Sequence, residues 1–494
     1  MSEHVLNSIG LFVPEIILVA SLCIIIVADL LLKKRTHAGG WILLASLVLC
    51  FFAFSAQSGI NTSAFFAMIA VDPFSVFFKV ILVISGIFIV LFSMQNKELI
   101  PYKNRIGEYY MLIAGMMLGM FLMVSSTNLL MMYLAFEMTS ICSYVLVGFT
   151  KKSIRSAESS IKYIIYGSVS SGIMIYGMSL IYGMSGSLNI FEIGAALSGL
   201  ESAPIFSMAV LMITAGIGFK IALVPFHFWA PDVYEGAPMA ITALLAVTSK
   251  IAAVAMLIRL FRVSFTGVDA TGMMAIIPEG IRWDMMLAVM AAAAMILGNL
   301  AALWQDNIKR MLAYSSIAHA GYIIMGVVVL TDQGISAVML YAFMYLFMNL
   351  GTFYMAMLYA NKFSTESIEG YKGIGYRAPF TAVALTIFLV SLTGLPPTAG
   401  FIAKLYIFGA AINAGWIWLV LVAGVMTIVS LFYYIRVARN MFLYKPEGET
   451  EPVRFDNFTT AIVLLLLTPV LVLGVYFTPV LEFIKHSLVM FGVQ

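Results

Sequence analysis

The segment Gly216–Pro238 reads GIGFKIALVPFHFWAPDVYEGAP, and it combines an apolar run with one cation and three prolines. The cation is Lys220, and Pro225 follows five residues later. Proline lacks the backbone N–H that a helix interior needs, so a helix breaks there. At membrane depth, such a break is tolerated only where protein or water satisfies the freed backbone groups. The segment therefore predicts a membrane helix that is interrupted beside a buried lysine.

The composition of the whole chain is that of a membrane protein. Of its 494 residues, 62% are apolar and 10% are charged, whereas soluble domains carry about 25% charged residues. The apolar runs are continuous rather than alternating, which favours helices over a barrel. The run from 11 to 32 is too long for a cleaved signal peptide and has no basic region before it, so it predicts the first span.

The apolar runs and their interruptions predict an all-α polytopic membrane protein of about fourteen transmembrane helices. Helices 7 and 12 are predicted to be broken, because prolines lie within them. The predicted spans are 11–32, 40–58, 73–94, 108–125, 128–150, 157–183, 204–229, 238–262, 281–303, 307–330, 335–360, 378–413, 415–438 and 459–484.

The basic residues predict the orientation of these spans. The odd-numbered connections hold eighteen lysines and arginines, and the even-numbered ones hold three. Because cytoplasmic loops carry the excess of basic residues, both termini are predicted on the outer side of the membrane.

The two halves of the chain resemble each other. NLLMMYLAFEMTSICSYVLVG from Asn128 aligns with NIKRMLAYSSIAHAGYIIMG from Asn307, and GIGFKIALVPF aligns with PTAGFIAKLYIF. Spans 4–8 and 9–13 then form two five-helix repeats, and an odd number of helices makes the second repeat inverted. The predicted divisions are 1–107 (three-helix N-terminal segment), 108–262 (first repeat), 263–440 (second repeat) and 441–494 (helix 14).

Five lysines fall within predicted spans, where a charge costs roughly 2.5–3.5 kcal/mol on insertion scales and usually marks a functional site. Lys220, Lys250 and Lys404 lie near the middle of spans 7, 8 and 12 and are the main candidates. Lysine in a poorly solvated site changes its protonation state readily, which suits proton transfer. Lys79 and Lys162 are weaker candidates, because Lys162 lies about one turn inside its span and can extend to the surface.

Three other ionisable residues accompany these lysines. Glu137 in YLAFEMTSICSY requires a basic partner if it is charged, and the alternative is a buried ion pair that only joins two helices. His319 in YSSIAHAGY and His227 beside the break of span 7 can relay protons, or they are packing residues held by hydrogen bonds. Glu15 and Asp29 lie near the ends of span 1 and receive no predicted role.

These residues predict a hydrated proton path along the membrane midplane. Moving the carboxylate of Glu137 toward or away from Lys220 would change the proton affinity of the lysine, because an opposite charge favours the protonated form. The two half-channels, one in each repeat, would meet at Lys250.

The sequence offers no cofactor motif of its own. Cys23, Cys50 and Cys142 each fall within a predicted span, and no CxxC or Cys/His spacing exists. Iron–sulfur clusters and structural zinc need several such ligands. No glycine-rich nucleotide fingerprint follows a strand. We therefore predict no metal, no bound cofactor and no nucleic-acid partner in this chain.

Several motifs resemble one known family, the antiporter-like membrane subunits of complex I, the proton-pumping NADH-quinone oxidoreductase. The resemblance covers nearly the whole chain, and Lys250, Lys404 and the short C-terminus are most similar to the bacterial subunits called N. The motifs are YLAFEM, GFKIALVPFHFWAPDVYEGAP, YSSIAHAGY and SLTGLPPTAGFIAKLY, together with the lysine of span 8.

The resemblance implies proton translocation through Glu137, Lys220, Lys250 and Lys404 in a bacterial inner membrane. It also implies neighbouring antiporter-like subunits in the bilayer and peripheral partner subunits, which carry FMN and iron–sulfur clusters and reduce quinone. Two alternatives stay open. The chain would otherwise belong to a multisubunit sodium/proton antiporter, or to a ferredoxin-driven relative of complex I.

Overall fold

The computed structural model describes residues 2–32, 37–197, 203–268, 275–276, 282–445 and 452–492. In these parts of the chain, twelve helices are long and apolar enough to cross a membrane. Three shorter apolar helices accompany them, of which Pro379–Thr393 and Ala399–Asn413 follow each other as the two parts of one broken span. With Asn457–Val472 as a further span, the all-α membrane fold of about fourteen spans is confirmed.

The N-terminal segment packs three long helices beside a short antiparallel hairpin that the sequence did not predict. In this hairpin Thr62 pairs with Val71. The long helix after it begins at a capping box, in which Asp72 accepts from Ser75 N at 2.8 Å and Asp72 N donates to Ser75 Oγ at 3.2 Å. The elements are α1 (Ser2–Leu11), α2 (Val13–Leu31), α3 (Ala38–Ala56), β1 (Thr62–Ala64), β2 (Ile69–Val71), α4 (Pro73–Gln95) and a 3₁₀ helix (Lys97–Arg105).

The remaining elements follow the predicted order of spans. The first set is α5 (Ile106–Ser125), α6 (Leu129–Val147), α7 (Ile154–Ser185), α8 (Ile190–Leu197), α9 (Ala203–Ile221), α10 (Trp229–Gly236), α11 (Met239–Ala246) and α12 (Thr248–Ser264). The second set is β3 (Gly267–Val268), β4 (Ala275–Ile276), α13 (Trp283–Leu303), α14 (Ile308–Val329), α15 (Asp332–Phe363), a 3₁₀ turn (Glu369–Tyr371), α16 (Ile374–Arg377), α17 (Pro379–Thr393), α18 (Ala399–Asn413), α19 (Ile417–Leu443), α20 (Asn457–Val472) and α21 (Thr478–His486).

Matching helix starts relate the two halves. Asn128 caps α6 by accepting from Leu130 N at 3.0 Å, and Asn307 caps α14 by accepting from Lys309 N at 2.8 Å. Each asparagine also forms an isolated bridge with the segment that follows the next long helix, Asn128 with 189 and Asn307 with 367. The helix pair α6–α7 therefore corresponds to α14–α15.

Both predicted helix breaks are present, although the first begins earlier than its proline. Helix α9 ends at Ile221, and Ala222 then adopts a left-handed backbone with φ of 58°. Two of the freed carbonyls are satisfied nearby, because Leu223 N donates to Gly218 O and Trp229 Nε1 donates to Phe219 O, both at 2.8 Å. The break therefore leaves these carbonyls paired inside the protein.

The second break lies between α17 and α18. Gly394 adopts φ of 88°, a conformation that favours glycine. At Gly400 a side chain would overlap the carbonyl oxygen of Ser391, so only glycine allows the two half-helices to approach this closely.

Two predicted spans differ from the observed helices. Span 8 is divided at Val247, where φ is −112° and ψ is −69°, three residues before Lys250. The segment LLAVTSK contains no glycine or proline that would signal this kink. Span 14, predicted over 459–484, is two helices, since α20 ends at Val472 and α21 begins at Thr478.

Helices α11, α12 and α14 lie at the centre and are covered on all sides, whereas α2, α3 and α19 expose most of their apolar surface. The exposed apolar faces suit contact with lipid. The central helices carry Lys250 and His319, which places the candidate residues in the most protected part of the fold.

Candidate functional site

Lys220 lies in the last turn of α9 and is completely buried. Its Nζ donates to two hydroxyls of α6, to Ser140 Oγ at 3.1 Å and Ser143 Oγ at 3.5 Å. The rings of Phe136 and Tyr163 lie 5.7 and 5.9 Å from the same nitrogen. The lysine therefore has hydroxyl and aromatic neighbours but no ion-pair partner among the described residues.

Glu137 lies one turn from Ser140 on α6 and acts electrostatically on Lys220. It forms no salt bridge within the described part of the chain, and its Oε1 is buried without a hydrogen-bond partner. The described residues therefore show no ion pair through which Glu137 would join two helices. The carboxylate of Glu137 therefore acts on the charge of Lys220 without forming an ion pair with it.

Lys250 lies just after the kink in span 8 and is buried. Its Nζ donates to Ser316 Oγ at 2.9 Å and to Ser316 O at 3.0 Å, both on α14 of the second half. The ring of Tyr234 lies 6.0 Å away. Lys250 thus connects the two halves.

His319 lies on α14, one turn from Ser316, and both ring nitrogens have a hydroxyl neighbour. Nδ1 is 2.6 Å from Tyr341 OH, and Nε2 is 3.3 Å from Tyr434 OH. Lys250 and Lys404 both act electrostatically on the imidazole. His319 therefore lies between the two lysines, as a relay requires. In the alignment from Asn128 and Asn307 its counterpart is Ser140, and the counterpart of Glu137 is Ser316.

Lys404 lies in α18, directly after the second break. Its Nζ donates to Thr393 O at 2.7 Å and Thr427 Oγ1 at 3.3 Å, and it lies 4.4 Å from the centre of the Tyr322 ring. Thr427 Oγ1 in turn donates to Tyr322 OH at 3.2 Å. The lysine itself satisfies a carbonyl that the helix break leaves free.

His227 is not brought together with these residues. It lies in the non-helical segment between α9 and α10, and its Nδ1 is buried without a hydrogen-bond partner. No ionisable side chain of the described chain forms a hydrogen bond or ion pair with it. Among the described residues, His227 therefore has no ionisable partner.

A charged cavity of about 170 Å³ opens where α7, α10 and α14 meet. Asp232 forms two ion pairs in this cavity, because Lys162 Nζ and Arg310 Nη1 each lie 2.7 Å from its carboxylate. Gly236 allows α10 to pack against α7 here, since a side chain would overlap Ser159 Oγ. The cavity is lined by Arg155, Glu158, Ser159, Lys162, Asp232, Glu235, Gly236 and Arg310.

Two further buried ion pairs lie away from the lysines of spans 7, 8 and 12. Lys79 Nζ is 2.6 Å from Glu15 Oε1, so Glu15 does have a role as a partner. Arg259 makes two hydrogen bonds of 2.7 and 2.8 Å to Asp72, and both side chains are fully buried. Paired groups of this kind stabilise one arrangement of the helices.

Sequence reasoning missed the hydroxyl partners and the charged cavity. Ser140, Ser316 and Tyr434 are ordinary residues in helices, and only their packing against a lysine or histidine gives them significance. A signal did exist for Asp232, because an acid just after a broken membrane helix is unusual. Lys162, predicted to extend to the surface, has a side chain that is 39% exposed, and it pairs with Asp232 and with Glu158, each at 2.7 Å.

An all-helical membrane fold with two broken helices and unpaired interior lysines defines the class of antiporter-like membrane subunits. The chain belongs to the family described as NADH:quinone oxidoreductase/Mrp antiporter, transmembrane, whose model matches residues 126–430. Within it, the chain is 45% identical over 489 residues to NADH-quinone oxidoreductase subunit N 2 of Chloroherpeton thalassium, covering 97% of this chain and 94% of that protein. It is 41% identical to subunit N of Chlorobium chlorochromatii, over 99% and 96% of the two chains.

Solved structures have the same fold. A chain of respiratory complex I from Thermus thermophilus superposes with a TM-score of 0.78 at 28% identity, covering 95% of this chain and 98% of that one. A chain of the Mrp complex from Dietzia superposes with a TM-score of 0.83 at 20% identity, covering 97% of each. The family predicted from the sequence motifs is thereby confirmed.

Proposed function

We propose that this chain is a proton-translocating membrane subunit of an NADH-quinone oxidoreductase, in which electron transfer on partner subunits drives proton movement here. The relatives named subunit N support this assignment. The observation that carries it is that Lys220, Lys250 and Lys404 are buried and form no salt bridge with any described residue, whereas Lys79 is paired with Glu15.

The partners of the three lysines suit a group that gains and loses a proton. A hydroxyl can accept a hydrogen bond from an ammonium and donate one to a neutral amine. A carboxylate partner would instead hold the lysine in its charged form. Ser140, Ser316 and Thr427 therefore allow both states, and Glu137 adjusts Lys220 from a distance.

The connections support a path that runs through both halves. Lys250 contacts Ser316 on α14, and His319 and Tyr322 follow at one-turn intervals on the same helix toward Lys404. We place Glu137, Lys220, Lys250, His319 and Lys404 in this path. His227 has no observed link to it. We propose domain boundaries at residues 107, 262 and 440.

The same proposal assigns the redox chemistry to partner subunits. FMN, iron–sulfur clusters and the quinone site would belong to partner subunits, and neighbouring antiporter-like subunits would contact the exposed apolar helices. The chain would lie in a bacterial inner membrane with both termini outside, since the basic residues are concentrated in the odd-numbered connections.

The test is Lys220→Ala in the full complex, with assembly checked by native electrophoresis and pumping followed in inverted membrane vesicles. We expect pumping and coupled quinone reduction to be lost in a fully assembled complex. Lys372→Ala is the control, because Lys372 is exposed and paired with Glu369. Normal pumping by Lys220→Ala would refute the proposal. Proton transport that requires a sodium gradient and not NADH would favour the antiporter alternative.

A further inference from the structure

Span 8 changes direction at a kink that is surrounded by protein. Helix α11 ends at Ala246, Val247 has φ of −112° and ψ of −69°, and α12 begins at Thr248. All eight residues of α11 are buried, and so is Thr248. A helix end leaves its last carbonyls without a partner inside the helix, and within a membrane protein other groups have to satisfy them. The kink therefore requires hydrogen-bond partners from its surroundings.

Two hydroxyl groups bind carbonyls just before the kink. Ser249 Oγ, from the next turn of the same span, donates to Leu245 O at 2.9 Å. Tyr345 OH donates to Ala246 O at 3.3 Å, and this tyrosine lies on α15, in the second half of the chain. Both donors are buried. The last residue of α11 is therefore bound to the other half.

A third hydroxyl contact holds the other side of the kink. Thr248, the first residue of α12, shares a hydrogen bond with Ser85 on α4, and the two hydroxyl oxygens are 2.5 Å apart. Both side chains are fully buried. A buried hydroxyl that loses its partner is costly, so this contact favours the observed position of α12. The two sides of the kink are thus held by helices from different parts of the chain.

The kink determines the direction in which Lys250 points. A regular helix would have φ of about −63° and ψ of about −42° at Val247. Because both angles differ there, α12 is turned relative to α11, and Lys250 follows only three residues later. Its Nζ then reaches Ser316 Oγ at 2.9 Å and Ser316 O at 3.0 Å on α14. The contact between the two halves therefore depends on the angles at Val247.

Tyr345 also lies beside the imidazole of the second half. The ring centres of His319 and Tyr345 are 5.3 Å apart, and Tyr341, one turn earlier on α15, contacts His319 Nδ1 at 2.6 Å. Neither Tyr345 nor Ser85 forms a hydrogen bond with Lys250 in the described part of the chain. Any influence of these two hydroxyls on the lysine therefore passes through the backbone of span 8.

We infer that Tyr345 and Ser85 are positioning residues, which hold the kink of span 8 and thereby keep Lys250 in contact with Ser316 of the other half. The inference rests on the proposed function, because the direction of Lys250 affects pumping only if this lysine carries protons. The two hydroxyls transfer no proton in this role. They fix the backbone, and the backbone directs the lysine.

The experiment on the α15 side measures NADH-driven pumping by assembled complexes that carry Tyr345→Phe, in inverted membrane vesicles. Phenylalanine keeps the ring and removes only the hydroxyl that donates to Ala246 O. Tyr359→Phe is the matched control, because Tyr359 is fully buried on the same helix and its hydroxyl contacts Thr381 at 3.3 Å. The control should pump like the unmodified complex.

On the α4 side, Thr248→Val removes the hydroxyl that contacts Ser85 and keeps the size of the side chain. Thr248→Ser keeps the hydroxyl and is its control. Ser85→Ala removes the same hydrogen bond from the other helix, so it should behave like Thr248→Val. We expect pumping to fall about threefold in each variant that lacks a hydroxyl, which is within the effect of one net hydrogen bond, and to stay near normal in Thr248→Ser.

Combination with Ser316→Ala separates positioning from a general loss of stability. Changes that act through one contact are not independent, whereas the effects of unrelated changes add in free energy and so multiply as rates. The fall in pumping of Tyr345→Phe combined with Ser316→Ala should therefore be smaller than the product of the two single falls. The same should hold for Thr248→Val combined with Ser316→Ala.

Pumping by Tyr345→Phe and Thr248→Val that equals that of their controls would overturn the inference, and so would falls that multiply with that of Ser316→Ala. If Tyr345→Phe does not assemble, Thr248→Val and Thr248→Ser decide the question by the same comparison. Normal pumping by Lys220→Ala would reject the proposed function itself. Abolished pumping in Lys220→Ala, with normal pumping in the kink variants, rejects only the positioning role.

Discussion

Lys220 lies just before the first helix break and Lys404 lies after the second, and the surroundings of the two lysines differ. The carbonyls freed before the first break are satisfied by Trp229 and a backbone amide, so Lys220 is left to contact two serine hydroxyls. At the second break the lysine itself satisfies the carbonyl of Thr393. Lys404 therefore has a backbone carbonyl as a fixed partner, whereas Lys220 contacts only serine hydroxyls.

The halves also differ in charge. The first half has the carboxylate of Glu137 acting on its lysine, and the aligned position in the second half is Ser316. In the second half, His319 and its tyrosine neighbours lie between the lysines instead. The comparison therefore sets a first half with a carboxylate near its lysine against a second half in which hydroxyl and imidazole groups take that place.

The largest fall in pumping rate is expected from Glu137→Gln, which removes the charge that distinguishes the first half from the second. A nearby opposite charge changes the pKa of an ionisable group by about 1–3 units. Without the carboxylate, Lys220 should bind a proton at least about tenfold more weakly, and we expect pumping to slow by a similar factor. Pumping by assembled complex in vesicles measures this. Glu192→Gln is the control, because Glu192 is an exposed carboxylate that contacts Ser187. Unchanged pumping in Glu137→Gln would mean that the charge difference between the halves has no function.

A smaller effect should separate Ser140→Ala from Thr427→Val. Both remove a hydroxyl acceptor from a lysine, but Lys404 keeps the Thr393 carbonyl at 2.7 Å, whereas Lys220 keeps only Ser143 at 3.5 Å. A hydrogen bond to a charged group contributes about 1.5–3 kcal/mol, so Ser140→Ala should lower the pumping rate several-fold and Thr427→Val less. Equal rates in the two variants would contradict the difference in how the lysines are held.

The smallest effect is expected from Tyr341→Phe, which removes the hydroxyl 2.6 Å from His319 Nδ1. Tyr434 still contacts the other ring nitrogen, so the imidazole loses orientation but not its connection. We expect about a twofold fall in pumping, consistent with one net hydrogen bond of about 0.5–1.5 kcal/mol. His319→Phe provides the reference for complete loss of the relay, and equal defects in both variants would show that Tyr434 does not hold the ring.

The sequence predicts a structural feature when nearby residues determine it, and fails when residues distant in sequence do. The breaks of spans 7 and 12 could be predicted because Pro225 and the Pro396–Pro397 pair act within one turn. The kink at Val247 could not, because no residue near it disfavours a helix. Its position depends on neighbours that are distant in sequence.

The ionisable residues of the site were predictable because a charge in a membrane span is rare and costly. Their partners were not, since the ion pair of Lys79 with Glu15 and the contact of Lys250 with Ser316 join residues 64 and 66 positions apart. The sequence shows which charges are buried, and only tertiary packing shows which of them remain unpaired.

The ion pair of Asp72 and Arg259 has a consequence for how the chain is made. Its members are 187 residues apart, and Asp72 also accepts a hydrogen bond of 2.9 Å from the amide of Phe491, 419 residues later. During synthesis, Asp72 is made long before Arg259 of helix α12. The amide of Phe491, its other distant donor, is made later still. The hydrogen bonds of Asp72 are therefore complete only after the segment that contains Phe491 has been made and has packed against it.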